Sequence, residues 1–178
     1  DYLHYMDCGK TKCADGEMVL RTLTVTNPNM TRFMMSLEEA VDLVLFTFVH
    51  AQSGDIMVQK APACTIGILA QALQELFGVK NEIQVIGVRH GEKLYETLLT
   101  KEECINAVDM GNFYRVPMDK RKLNYTRYQM EERQEKPLML EEFNSNNTVQ
   151  LTVAQVKEYL LKLSFVQEEL KNWSSDKR

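Results

Sequence analysis

Apolar positions change period repeatedly along this chain, and the changes predict an α/β protein in which short strands alternate with helices. Leu20 to Thr26 alternates β-branched and polar residues and predicts a strand. Asn27-Pro28-Asn29 reads as a turn. Ser36-Leu37-Glu38-Glu39 opens a helix, because a serine followed three residues later by a glutamate makes a capping box. Ala40, Val41, Leu43, Val44, Phe46 and Thr47 carry that helix to about His50. Ser53-Gly54-Asp55 turns into a short strand, Ile56-Met57-Val58. Thr65 predicts the cap of a second helix, Ile66 to Phe77, with Ile68, Leu69, Ala72, Leu73 and Leu76 on one face and Gly78 as its stop.

Further along, Ile83-Gln84-Val85-Ile86 predicts a strand, and a helix is expected from about Gly91 to Leu99. Glu102 to Arg133 offers few regular runs, and Glu131 to Lys136 reads as a solvated linker. Phe143 to Thr148 is a polar turn. Val153 to Leu170, capped by Thr152, predicts one amphipathic helix with Val156, Leu160, Leu163 and Val166 on one face. Its tail, Trp173 to Arg178, is expected to fray. Residues 1–20 show little periodicity and stand apart from the rest.

Composition narrows the partners. At 178 residues, 44% hydrophobic and 26% charged, the chain is an ordinary globular protein, long enough for a sizeable core. A net charge of −4 argues against an extended nucleic-acid surface, which needs clustered Lys and Arg. No apolar run approaches the roughly 20 residues of a membrane span, and the N-terminus lacks the pattern of a signal peptide. Cys8, Cys13, Cys64 and Cys104 follow no disulfide or zinc spacing, so reduced thiols and a cytoplasmic location are expected. Cys8 and Cys13 with His4 and His50 lack a second paired-ligand motif, so no metal site is expected. The ten methionines read as adaptable core filler.

The richest chemistry lies in Gly87-Val88-Arg89-His90-Gly91-Glu92, after the strand at 83–86. Arginine offers a planar fork of donors suited to phosphate oxygens. A carboxylate three residues on accepts hydrogen bonds from a ribose diol, as acids do in dinucleotide sites. Gly91 lets the backbone turn sharply between the two. A surface turn with a solvated Arg89–Glu92 ion pair is the plain alternative. His90, lone in a polar turn, reads as exposed and inert.

This segment is one of four islands that resemble the C-terminal half of the extended short-chain dehydrogenase/reductases acting on nucleotide sugars. The others are Leu23 to Ser36, Asn112 to Pro117 with Leu123-Asn124-Tyr125, and Phe143 to Thr148, in the family's order. The polysaccharide-biosynthesis branch is most similar, in particular the inverting UDP-N-acetylglucosamine 4,6-dehydratases with 5-epimerase activity. The resemblance implies a small mixed sheet with flanking helices, equivalent to that C-terminal lobe. It divides the chain into an unmatched segment, 1–20, and a nucleotide-sugar domain, 21–178, with a C-terminal extension from about residue 112.

By the same resemblance, Arg89 binds the diphosphate and Glu92 the uridine ribose. Arg32 is either a second cationic contact or a structural arginine pairing with Glu92 or Glu96. Ser36 is an N-cap, and its helix terminus is also a place for a phosphate or sugar oxygen. Asn124 and Tyr125 line the sugar pocket or terminate a strand. The family pattern there resembles Asp-x-Arg-Asp-Leu-Asn-Tyr, and Lys122 replaces its second aspartate.

The family's first half carries a Gly-rich pyrophosphate turn and a Tyr-x-x-x-Lys pair. Here the eight glycines form no such turn, and no tyrosine has a lysine four residues on. The chain therefore reads as a truncated UDP-sugar lobe, not catalytic alone. The expected cofactor in this chain is none, with NADP in the complete enzyme. Expected partners are a UDP-sugar, a separate cofactor-domain chain and a second copy in a homo-oligomer, with neither nucleic acid nor membrane. In a complete enzyme the products would be capsule or O-antigen precursors. The alternative is a non-catalytic remnant or self-associating interaction protein, its exposed apolar surface left by the missing half.

Overall fold

The computed structural model describes residues 10–12, 18–20, 22–118 and 141–175. The chain forms two compact units, one from residues 1–32, 63–95 and 150–178 and the other from residues 33–62 and 96–149. Strands are short and grouped in small ladders, so the α/β reading holds with several small pairings in place of a single sheet.

In the first unit, β1 (Lys10–Lys12) pairs antiparallel with β2 (Met18–Leu20). β3 (Leu23–Val25) lies parallel to β7 (Ile83–Val85), with Val25 opposite Val85. β4 (Thr31–Phe33), where the chain crosses to the second unit, pairs with β6 (Ala63–Thr65). A parallel pair needs a crossover, and α2 (Ile66–Phe77) precedes β7 in it. Thr65 caps α2 by accepting from Ile68 N, and Gly78 ends it in the left-handed conformation. The small Ala70 and Ala72 are buried on α2, which packs against α4 (Val153–Leu161) and α5 (Ser164–Ser175). Val25, Met30, Val156 and Val166 fill the core of this unit.

The helix expected as one piece from Val153 to Leu170 is two. Beyond α4 the chain turns at Lys162, and Gln167 Nε2 caps the freed Leu161 carbonyl at 2.7 Å. Val166 is nevertheless buried, as Val156 and Leu160 are, while Leu163 stays half-buried. Nor does Trp173 fray: its indole Nε1 donates to the Phe77 carbonyl at 2.9 Å, and its ring meets Phe77 edge-on.

In the second unit, α1 (Leu37–His50) carries the capping box in full: Ser36 Oγ accepts from Glu39 N, and Glu39 Oε2 accepts from Ser36 N. β10 (Phe113–Val116) sits between β5 (Ile56–Gln59) and β9 (Val108–Asp109), both antiparallel to it. β8 (Thr97–Leu99) pairs with β11 (Phe143–Asn144), and α3 (Lys101–Asn106) follows β8. Val58, Leu99, Cys104, Ala107, Val116 and Phe143 form the core, with Phe33 and Tyr114 packed against it.

Two expectations fail between residues 91 and 118. Residues 91–99 are not a helix: they run through an irregular segment into β8. Gly91 adopts a positive φ, and Leu94 and Leu98 are exposed, so their spacing marked no buried face. The stretch from Glu102, expected to be poor in regular structure, holds most of α3, then β9 and β10, before residue 118. The remainder lies outside the described residues, as do the charge run at 131–136 and residues 1–9.

Candidate functional site

The segment singled out in the sequence is pinned at both ends within the first unit. Ile86 N donates to the Val25 carbonyl at 2.8 Å, holding the exit of β7 beside the end of β3. Three successive residues, 92 to 94, are then tied back to residues 26–32. The Thr26 hydroxyl donates to Glu92 Oε1 at 3.2 Å. Arg32 Nη2 donates to the Lys93 carbonyl at 2.9 Å. Thr31 N donates to the Leu94 carbonyl at 3.1 Å.

Residues 87–91 between these anchors are exposed, Arg89 and His90 included. Gly87 and Gly91 have φ of 85° and 82°. A Cβ at either would meet nothing within 4 Å, so the backbone angle, not crowding, calls for glycine there.

Glu92 is half-buried and closes its own turn. Its Oε2 accepts from Arg89 N at 3.1 Å, and its own N donates to the Arg89 carbonyl at 3.1 Å. The acid therefore grips the arginine's backbone and leaves the arginine side chain exposed. Both carboxylate oxygens are held by protein donors, Thr26 on one and the Arg89 amide on the other.

Arg32 is half-buried, and its guanidinium donates to the carbonyls of Thr31 at 2.8 Å and Lys93 at 2.9 Å, with Met30 Sδ 3.7 Å away. It braces the strand against the loop. Ser36 belongs to the other unit, where its hydroxyl caps α1. Asn124 and Tyr125 lie outside the described residues. Thr26 escaped the sequence reading: a threonine at a strand end carries no signal that its hydroxyl reaches a glutamate 66 positions on.

The island from Phe143 to Thr148 is a knot of internal hydrogen bonds. Asn144 Oδ1 accepts from the amides of Asn146 and Asn147, Ser145 exchanges bonds with the Glu96 backbone, and Thr148 Oγ1 donates to the Ala61 carbonyl. Elsewhere, ionisable groups are shifted by plain structural causes. Lys60, 2.6 Å away, and Gly111 N hold the Asp109 carboxyl below its usual range. Burial pushes the Cys64 thiol up to about 11 and raises that of Cys104.

A family model for "Polysaccharide biosynthesis protein" matches residues 14–118, and one for "Polysaccharide biosynthesis protein C-terminal" matches residues 119–167. Over 152 residues the chain is 57% identical to a protein named UDP-glucose 4-epimerase from Rickettsia felis. It is 55% and 53% identical to proteins of the same name from Rickettsia typhi and Rickettsia canadensis. Each alignment covers 85% of this chain and 44% of the relative, so the chain spans less than half the length of the curated relatives it matches. A crystal structure of Pen from Bacillus thuringiensis superposes with a TM-score of 0.64 over 80% of this chain and 40% of that chain. At 24% identity, that likeness speaks to the fold alone.

Proposed function

The chain belongs to the polysaccharide biosynthesis protein family, corresponding to the C-terminal part of an extended short-chain dehydrogenase/reductase, and from that premise we propose that it is a UDP-sugar binding lobe. One observation carries the reading: a loop anchored at both ends that exposes Arg89 beside a carboxylate held in place. Arg89 supplies the fork of donors for a diphosphate. The Glu92 carboxylate has about four acceptor positions, and its two internal bonds occupy one on each oxygen. The pair that remains suits the two hydroxyls of a ribose.

Binding, not turnover, is the role assigned to these residues. Among the described residues, the groups present do not fit the cofactor of the complete family enzymes. A dinucleotide pyrophosphate needs a Gly-rich turn leading to open backbone donors at a helix N-terminus. Thr65, Ser36 and Thr152 instead close the first turns of α2, α1 and α4 with their own hydroxyls, and no glycine-rich turn leads into them. Oxidation and elimination on the sugar belong to a complete enzyme.

The sugar itself is proposed to be N-acetylglucosamine, by resemblance to the dehydratases, while the relatives' name points to glucose. Calorimetric titration with UDP, UDP-N-acetylglucosamine and UDP-glucose tests both levels. UDP binding that Arg89→Ala weakens at least tenfold supports the lobe, and the order of the two sugars settles the hexose. No heat from the unmodified chain at millimolar UDP would refute it.

A second reading, an interaction protein, is favoured by α1. Leu37, Val41, Val44, Leu45, Phe48 and Val49 form one stripe along it, and all are exposed, Phe48 by 83%. The opposite side, through Ala40, Leu43 and Phe46, is half-buried, and Phe46 stacks on Phe113. A helix apolar on both sides is normally buried on both.

A further inference from the structure

Resting on the assignment of Glu92 to the ribose, we propose that Thr26 is a positioning residue that sets the Glu92 carboxylate for diol recognition. Three features lead there. Thr26 is nine-tenths buried at the end of β3, so its hydroxyl has little access to water and takes protein partners. Its single proton has two acceptors in reach, Glu92 Oε1 at 3.2 Å and Met30 Sδ at 3.3 Å. A carboxylate is much the stronger acceptor of the two, and a charge-assisted bond outweighs one to a thioether.

The geometry then makes Thr26 half of a two-point clamp. The Arg89 amide takes Oε2 and the Thr26 hydroxyl takes Oε1. One donor alone would leave the carboxylate free to rotate about its terminal torsion, which is broad for an acid side chain. Two donors on opposite oxygens fix its plane, and thereby the direction of the two acceptor positions left for a ligand. The remaining ties, from Arg32 to Lys93 and from Thr31 to Leu94, hold the loop backbone without touching the carboxylate. Losing the Thr26 hydroxyl should therefore leave the loop anchored and free only the acid.

The test compares three probes on the full chain by calorimetry: UDP, its 2′,3′-dideoxy analogue and inorganic pyrophosphate. With both diol hydroxyls bound by a carboxylate, the unmodified chain should prefer UDP over the dideoxy analogue by about tenfold or more. In Thr26→Val that preference should fall to about twofold, through weaker UDP binding, while pyrophosphate affinity is unchanged. Thr26→Ser, which keeps the hydroxyl, should restore it. Unchanged pyrophosphate binding also certifies that the valine variant is folded with Arg89 in place. A preference that survives Thr26→Val, or a loss shared equally by all three probes, would overturn the positioning role and leave the Arg89 assignment standing. Absence of UDP binding by the unmodified chain would remove both.

Discussion

The Asp55 side chain is 3% exposed, and its carboxylate joins two parts of the second unit. It accepts from Gln52 N at 2.9 Å to close the turn before β5, and it lies 3.2 Å from Arg115 Nε on β10. Removing one partner of such a pair leaves the other charge uncompensated. Because the arginine left behind is a quarter exposed and can be hydrated, Asp55→Ala is expected to lower stability by about 1–2 kcal/mol in urea unfolding, chiefly through the lost bond to Gln52 N. Cys64 is shifted by burial from 9.0 to about 11, which disfavours the thiolate in the folded state. Its contribution to stability is thus complete below pH 9 and is lost as the pH rises from about 9 towards 11. Mass spectrometry of the peptide bearing Cys64 should show little alkylation at pH 8 in the folded chain and rapid alkylation in urea; equal rates would show that the thiol is open to solvent. The residues of the loop divide by the same logic. Arg89 was legible as a candidate because its type and its place after a strand suit a phosphate. Thr26 was not, because its partner is distant in sequence.

Elements whose boundaries depend on local chemistry are the most legible, with one exception: Thr100 and Glu103 form a complete capping box that opens α3, most of which lies in a stretch read as poor in regular structure. Ser36, Thr65 and Thr152 cap the helices that begin after them, and Gly78 stops α2, because a cap needs only the few residues around it. Ser36 also tests the two roles its position suggested. If it only caps α1, Ser36→Ala should cost about 1 kcal/mol in thermal or urea unfolding and leave UDP affinity unchanged. A fall in UDP affinity of several-fold at unchanged stability would instead make it a ligand contact. Elements that depend on a distant partner were misread. Thr97 to Leu99 become a strand because Phe143 and Asn144 lie beside them. The break between α4 and α5, with the turn at Lys162 and Gln167 Nε2 on the Leu161 carbonyl, is not readable from a continuous apolar period, although that period does place Val166 on the buried face with Val156 and Leu160.

For the molecule as a whole, the open question is what meets the apolar stripe of α1. Large exposed apolar patches on soluble proteins mark interaction surfaces. Under the second reading, sedimentation velocity should show concentration-dependent association, and Phe48→Ser with Val44→Ser should abolish it without a loss of stability, since α1 contributes no fully buried residue. A monomer at every concentration would count against self-association. Among the described residues no helix is long and apolar enough to cross a membrane. By itself, the sequence determined the family, the α/β class, the caps of α1, α2 and α4 and the loop around Arg89, because caps, turn glycines and motif islands act over a few residues. Tertiary structure alone decided the strand pairings, the break between α4 and α5, the bracing role of Arg32 and the grip of Thr26 on Glu92, because each joins residues that folding, not sequence spacing, brings together.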